Sequence, residues 1–129
     1  MAQTPRPTDG ELEILRVLWR DGPSTVRDVH AALSKAKPHT GYTTVLKLMQ
    51  IMAEKGLAAR DETSRAHVYR ARVSEAQAQQ QMVRNLLDRA FDGSAARLVM
   101  QALSSRKATA GELAEIRHML DEFEKSGGA

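Results

Sequence analysis

Apolar residues recur every three or four positions through the first 55 residues, which is the period of helices with one buried face. Asp21-Gly22-Pro23 and Gly56 interrupt this pattern, and helices are expected to end there. Thr25 and Asp28 have the spacing of a capping box, which marks a helix start. The pattern predicts three helices, from a cap at Thr8 or Asp9 to about Arg20, from a cap at Ser24 or Thr25 to the loop Lys35–Thr40, and from Thr40–Tyr42 to Lys55.

After Gly56 the repeat of the apolar pattern changes from three or four residues to two. The segments LAARD (residues 57–61) and AHVYRARV (residues 66–73) read as short strands joined by Glu62–Arg65, a pattern typical of a β-hairpin. Alternation in the second segment places its two arginines on the face opposite Tyr69. Three helices followed by a hairpin is the element order of a winged helix-turn-helix.

Three further helices are predicted in the rest of the chain, over residues 75–91, from a cap at Ser94 to about Ser104, and from a capping box at Thr109 and Glu112 to about Lys125. These ~50 residues are few for an isolated core, so their apolar faces need a covering surface. They can pack on the N-terminal domain or on a second copy of the chain, and the change of charge and composition at residue 74 favours the second copy. The predicted dimerisation residues are Val83, Leu86, Leu87, Phe91, Leu98, Val99, Leu103, Ile116, Leu120 and Phe123.

The sequence therefore predicts a mainly α protein with a small β-hairpin, in which an N-terminal winged helix-turn-helix is followed by a three-helix C-terminal dimerisation region. The expected domains are residues 1–74, which would bind DNA, and residues 75–129, which would dimerise. Residues 1–7 contain two prolines and are expected to form a frayed tail, while the C-terminal SGGA is expected to be a flexible end.

Composition limits the partners and the location of the protein. The 129 residues carry a net charge of +3 and no cysteine, which excludes disulfides, thiolate zinc sites and cysteine nucleophiles. Positive charge is concentrated in residues 34–73, which contain 8 Lys/Arg and 3 Asp/Glu, and such a patch attracts a polyanion. No apolar run reaches the ~20 residues of a membrane span, and no secretory signal is visible. A cytoplasmic protein is expected.

The third predicted helix carries polar residues opposite its apolar stripe. The second helix of a helix-turn-helix enters the major groove and reads base edges with residues near its N-terminus. Hydroxyl, amide and amine groups on that side suit bases and phosphates. The stripe consists of Val45, Leu48, Met49 and Met52. The predicted DNA contacts are Tyr42, Thr43, Thr44, Lys47 and Gln50 on this helix, with Arg65 and His67 in the wing.

Other interpretations of this helix remain open at the level of sequence. The two threonines also suit simple helix capping or solvent exposure, and Tyr42 also suits a packed aromatic position. Leu46 and Ile51 widen the apolar arc, and they should be at least half exposed if the helix faces DNA. The remaining hairpin arginines are weaker candidates because their direction depends on strand register.

Enzymatic function has little support in the sequence. None of the motifs G-x-S-x-G, H-E-x-x-H, G-x-x-x-x-G-K-[ST] or G-x-G-x-x-G is present. The four histidines are scattered over different elements without metal-ligand spacing and are expected at the surface, so no metal or cofactor is expected. A winged helix that binds proteins, without sequence-specific DNA binding, is the alternative function. The basic charge of residues 34–73 argues against it.

Six sequence strings in order resemble the penicillinase repressor family, the BlaI/MecI type. They are LEILRVLW, TVRDVHAAL, YTTVLKLMQIMAEKGL, RAHVYRARVS, GSAARLVMQAL and GELAEIRHML, and the resemblance that rests on them extends over roughly residues 8–124. The resemblance implies a dimeric transcriptional repressor whose winged helix binds a palindromic operator in double-stranded DNA. Members often act on β-lactam-resistance genes or are encoded beside a membrane-bound metalloprotease sensor. The recognition positions that carry over are Thr43, Thr44 and Lys47, with Arg65 and His67 in the wing.

Two departures from the family pattern concern regulation. In the penicillinase branch the inactivating cut falls at an Asn–Phe bond, whereas the corresponding residues here are Gln101 and Ala102. The resemblance therefore does not imply release by that cleavage. The copper-responsive branch uses C-terminal cysteines, which this chain lacks.

Overall fold

The computed structural model describes residues 5–127. The outer ends of the two predicted tails, residues 1–4 and 128–129, lie outside the described residues. The described residues form six helices and three short strands, which confirms a mainly α winged helix-turn-helix followed by three helices. In chain order they are α1 (Asp9–Asp21), β1 (Ser24–Thr25), α2 (Val26–Ala36), α3 (Tyr42–Lys55), β2 (Ala58–Asp61), β3 (Val68–Ala71), α4 (Glu75–Ala90), α5 (Ala95–Ser105) and α6 (Ala110–Lys125).

Local capping signals set most helix ends. Thr25 and Asp28 form the predicted capping box. Thr8 and Glu11 form a second box, of which only the cap at Thr8 or Asp9 was predicted. The Thr109 hydroxyl accepts a hydrogen bond from the Glu112 N–H at 3.0 Å, which is the Thr109 half of the predicted box at α6. Gly56 ends α3 in the left-handed conformation at φ 84°, where a residue with a Cβ is strained.

The sheet has three strands rather than the two of the predicted hairpin. β3 lies in the centre and pairs antiparallel with both β2 and β1, so the strand order is β1-β3-β2. The two hairpin strands are also shorter than the predicted segments. β1 was not predicted because its two residues have no strand pattern of their own and form a strand only by pairing with β3, Ser24 with Tyr69 and Thr25 with Val68.

The hydrophobic core joins the first three helices to the sheet. Val45, Met49 and Met52 of α3 are buried, while Leu48 is only partly buried against this core. Leu46 also packs against the core, and Ile51 is partly buried. Neither is half exposed, so the exposure expected of them for a helix that faces DNA is not found. The buried core residues are Ile14, Leu15, Val17, Leu18, Val26, Val29, Val45, Met49, Met52, Leu57, Ala58, Tyr69 and Val73.

A buried ion pair connects the start of α1 to the end of α3. Lys55 Nζ lies 2.6 Å from Glu11 Oε1, and the same oxygen accepts the Thr8 N–H at 2.9 Å. Burial alone raises the pKa of Glu11, but the hydrogen bond from Lys55, the Thr8 N–H and the lysine charge outweigh it, so the pKa lies below its ordinary value. Lys55 Nζ also donates to the carbonyl of Arg6 at 3.4 Å, which holds part of the predicted frayed tail.

The chain divides into two compact units, one ending at Arg84 and the other beginning at Asn85. α4 starts at Glu75 and continues across this division, and its Ala78 is buried. At the junction of β3 and α4, the Trp19 indole N–H donates to the Val73 carbonyl at 2.9 Å. The domain boundary at residue 74 stays a prediction.

Candidate nucleic-acid interface

One face of α3 is exposed along most of the helix. Its buried residues fix the rotation of α3, so the four predicted contacts Thr43, Thr44, Lys47 and Gln50 are exposed. Residues three or four positions apart are neighbours on a helix surface. Lys47 therefore lies beside both threonines and beside Gln50, and the structure brings these four side chains together on one face. Glu54 continues this exposed face toward the end of α3.

The first turn of α3 carries no side-chain cap. Gly41 is the N-cap residue, and no side chain accepts a hydrogen bond from the first backbone N–H groups. Thr43 and Thr44 lie inside the helix rather than at its cap, so the capping interpretation of the threonines is wrong. Unpaired N–H groups and the positive end of the helix dipole favour a phosphate at such a position.

The turn before α3 is held by a histidine. His30 of α2 is partly buried, and its Nε2 lies 2.9 Å from the Thr40 carbonyl oxygen. Its ring packs edge-to-face on Tyr42, with the ring centroids 5.4 Å apart at 73°. Tyr42 is 48% exposed, so it is both a packed aromatic and an accessible one. The expectation that all four histidines lie at the surface is wrong for His30, which is partly buried.

The wing tip is exposed and internally ordered. Arg65 and His67 both lie in the loop between β2 and β3, and both side chains are exposed. Asp61, the last residue of β2, accepts hydrogen bonds from the N–H of Thr63 at 2.9 Å and from its hydroxyl at 2.7 Å, and these bonds lower the pKa of Asp61. A local turn of this kind presents the tip without a hydrophobic core of its own.

Strand register decides the direction of the remaining wing arginines. Arg70 and Arg72 are exposed, as the alternation with buried Tyr69 predicts. Arg60 is the Cα partner of Tyr69 across the ladder. A hydrogen bond to the Tyr69 hydroxyl raises the pKa of Arg60, and Glu62 Oε1 lies 2.8 Å from its guanidinium. The Arg60 guanidinium is therefore paired within the wing, whereas the side chains of Arg70 and Arg72 are exposed to solvent.

The C-terminal helices expose apolar surface in the single chain. Neither α5 nor α6 has a buried residue. Of the predicted dimerisation residues, Leu87, Phe91, Leu98, Leu103 and Ile116 are partly buried. The other five are roughly half exposed, and these are Val83, Leu86, Val99, Leu120 and Phe123. Met82, Met100 and Met119 are exposed as well, and the sequence reading did not include these three among the contacts.

The described residues show neither a metal site nor a membrane span. Within residues 5–127, no three His, Cys, Asp or Glu side chains cluster in a way that could hold a metal ion. No helix in that range is both long and apolar enough to cross a bilayer.

A winged helix-turn-helix with an exposed polar face on α3 is typical of DNA-binding regulators. The family model described as penicillinase repressor matches residues 7–122. The chain therefore belongs to the penicillinase repressor family, whose members are transcriptional repressors, which are not an enzyme class.

Individual relatives agree with this assignment. The chain is 26% identical over 125 residues to the penicillinase repressor of Bacillus licheniformis, covering 95% of this chain and 94% of that protein. It is 43% identical over 70 residues to the transcriptional regulator BlaI of Mycobacterium tuberculosis, covering 54% of this chain and 50% of the relative.

Two solved structures share the fold, and both are 25% identical to this chain and cover 60% of it and 93% of their own length. The solution structure of the DNA-binding domain of the repressor BlaI has a TM-score of 0.52. The solution structure of monomeric Bacillus licheniformis BlaI in complex with the blaP half-operator has a TM-score of 0.50.

Proposed function

We propose that this chain is a dimeric transcriptional repressor that binds palindromic operator DNA through α3 and the wing. The observation that carries the proposal is the exposed face of α3, where two hydroxyls, an amine and an amide lie together opposite a buried stripe. The similar BlaI structure, described as a complex with the blaP half-operator, supports a role for the same fold on DNA here.

Each part of this interface suits a different contact. Lys47 and Gln50 have the reach and donor groups for guanine and adenine edges, and the threonines offer a hydroxyl for phosphate and a methyl for thymine. The uncapped start of α3 favours a backbone phosphate. Arg65 and His67 lie at the exposed wing tip, from which they would contact the sugar–phosphate backbone.

Dimerisation would place two such faces on the two halves of one operator. The exposed apolar residues of α4, α5 and α6 support this, because a surface of this kind is covered in most soluble proteins. A two-fold dimer reads half-sites whose centres are about 10 bp apart, or a multiple of that spacing. We propose β-lactam-resistance or sensor-protease genes as targets and a cytoplasmic location, since the operator lies there. We also propose release through a membrane-bound metalloprotease sensor, by a step other than the Asn–Phe cut, because Gln101 and Ala102 replace that bond.

Binding to DNA is tested by fluorescence anisotropy on two duplexes, one selected by the wild-type protein from a random-sequence pool and one of random sequence. We expect Lys47→Ala and Thr44→Ala each to weaken binding to the selected duplex, by about 1–3 kcal/mol per lost base contact. Lys107→Ala removes an exposed lysine outside the winged helix and should bind like the wild type.

Three results would contradict the proposal. If the wild type selects no sequence from the pool, it is not an operator-binding repressor. If both α3 variants bind the selected duplex as tightly as the wild type, the reading face lies elsewhere. A dimer that neutralises about six phosphates should lose ~10³ in affinity over a fourfold rise in salt, and salt-independent binding would instead favour a protein-binding winged helix.

Dimerisation is tested by sedimentation velocity on the intact chain. Leu120→Lys places a charge among the exposed apolar residues of α6, and we expect it to give a folded monomer. Asp121→Lys introduces the same side chain at a polar position beside it and should remain a dimer. A monomeric wild type at operator-binding concentration, or a dimeric Leu120→Lys variant, would contradict the predicted interface.

A further inference from the structure

The start of α3 needs to be held from outside the helix. Gly41 is the N-cap residue, and glycine has the widest backbone freedom of any residue. No side chain caps the helix at this point. The preceding loop contains Pro38 and His39, which are both exposed. Thr40 donates its N–H at 3.0 Å and its hydroxyl at 2.7 Å to the Lys37 carbonyl, and these bonds close the loop without reaching the first turn of α3.

His30 provides contacts on both sides of Gly41. On one side its Nε2 lies 2.9 Å from the Thr40 carbonyl oxygen. Because a carbonyl oxygen only accepts, a neutral His30 ring must carry its proton on Nε2. On the other side the ring packs edge-to-face on Tyr42 at 5.4 Å. Ser34 Oγ, one turn later in α2, lies 3.4 Å from the same nitrogen, and with the proton on Nε2 it can only accept a longer share of that N–H.

We propose that His30 is a positioning residue for sequence reading, and this proposal rests on the function proposed above. By fixing Thr40 and Tyr42, the imidazole sets the position and rotation of the first turn of α3, which carries Thr43 and Thr44. Base-edge contacts require a geometry fixed to about 0.5 Å. Phosphate attraction is long-ranged and tolerates displacement. Loss of His30 should therefore reduce the preference for the operator more than it reduces affinity for DNA in general.

Single replacements separate the two contacts of His30. His30→Gln keeps an N–H donor near the position of Nε2 and loses the ring, whereas His30→Phe keeps a ring against Tyr42 and loses the donor. His30→Leu loses both contacts. His118→Leu removes an exposed histidine of α6 and serves as the matched control.

The measured quantity is the ratio of affinities for the wild-type-selected duplex and a random duplex, with the thermal midpoint of each variant recorded alongside. We expect His30→Leu to bind the selected duplex about tenfold more weakly, since each subunit of the dimer loses a hydrogen bond and a ring contact. Its affinity for random duplex should stay within about twofold. The Gln and Phe variants should have intermediate ratios, and His118→Leu the wild-type ratio.

The outcomes distinguish this inference from the function on which it rests. A wild type without preference for any duplex ends the proposed function. If the wild type prefers the selected duplex and His30→Leu keeps that preference in full, the positioning role is overturned. If His30→Leu does not fold, the same result in both single-contact variants overturns it. A lower thermal midpoint with an unchanged ratio also overturns it, because His30 would then support only the fold.

Discussion

Replacing Lys55 by methionine should destabilise the winged helix by an amount that depends on pH. Glu11 is 1% exposed, and its carboxylate accepts hydrogen bonds from Lys55 Nζ at 2.6 Å and from the Thr8 N–H at 2.9 Å. Methionine resembles the lysine stem in shape but carries no charge. The substitution therefore leaves a buried carboxylate without its cation.

The size of the effect follows from how far the pair is buried. Removing one partner of a fully buried pair costs about 3–5 kcal/mol. Here the Lys55 side chain is 33% exposed, and the Thr8 N–H still donates to the carboxylate after the change. We therefore expect the free energy of unfolding to fall by about 2–3 kcal/mol near neutral pH.

The pH dependence has a definite sign. In the wild type the pKa of Glu11 lies below its ordinary value of 4.5, because Lys55 and Thr8 outweigh the effect of burial. Ionised Glu11 therefore adds stability that is present above about pH 4.5 and is lost as pH falls through the lower folded pKa. Lys55→Met removes both lysine contributions and leaves burial, the largest single cause, opposed only by Thr8, so we expect the pKa of Glu11 to be higher than in the wild type and the carboxylate to take up its proton at higher pH. The stability difference between the two proteins should shrink on acidification.

Urea unfolding at about pH 7 and about pH 4 measures this difference. Trp19, the single tryptophan, supplies a fluorescence signal from the winged helix. Lys37→Met breaks the exposed Lys37–Glu13 pair, whose atoms are 2.5 Å apart, and should leave both midpoints nearly unchanged. An equal loss for Lys55→Met at both pH values would show that packing, and not charge, causes it. No loss at neutral pH would refute the reasoning altogether.

Three further outcomes can be measured by thermal or urea unfolding followed by circular dichroism. Gly56→Ala should lower stability by about 1–2 kcal/mol because of its φ of 84°, whereas Gly111→Ala, whose Cβ would meet the Thr109 hydroxyl at an ordinary contact distance of 3.8 Å, should raise it by about 0.5–1 kcal/mol; equal effects would contradict this. Trp19→Phe should cost about 1 kcal/mol by leaving the Val73 carbonyl without its donor, and an unchanged midpoint would contradict it. A chain ending at Arg84 should be more stable than one ending at Ser74, because Ala78 is buried; equal midpoints would support the boundary at residue 74.

The sequence predicts the elements whose signals are local. Thr25 and Asp28 mark the start of α2 with a pattern that needs no tertiary contact, and Gly56 ends α3 because of its own backbone freedom. The exposed face of α3 could be read from its apolar stripe for the same reason, since 3.6 residues per turn fix which side chains lie opposite.

Features that depend on distant partners could not be predicted. Glu11 resembles an ordinary exposed helix charge until Lys55, 44 residues later, meets it. Leu46 is covered by tertiary packing that no local pattern shows. His30 interrupts the apolar repeat of α2. The one sequence feature that could have indicated a contact for its ring is Ser34, four residues later on the same helix face. Its contacts with Thr40 and Tyr42 depend on how the turn folds back on α2.

The two residues of β1 have a mechanical consequence. They directly precede α2, and they pair with β3, the central strand of the wing sheet. Backbone hydrogen bonds therefore join the wing to the start of α2, and we expect the wing and this helix to move together. α3 and the wing would then already have their relative positions before a duplex binds, so little conformational entropy is left to be lost on binding. New sequence preferences can then arise by substitution of exposed side chains on α3 and the wing, without a change in the backbone that positions them.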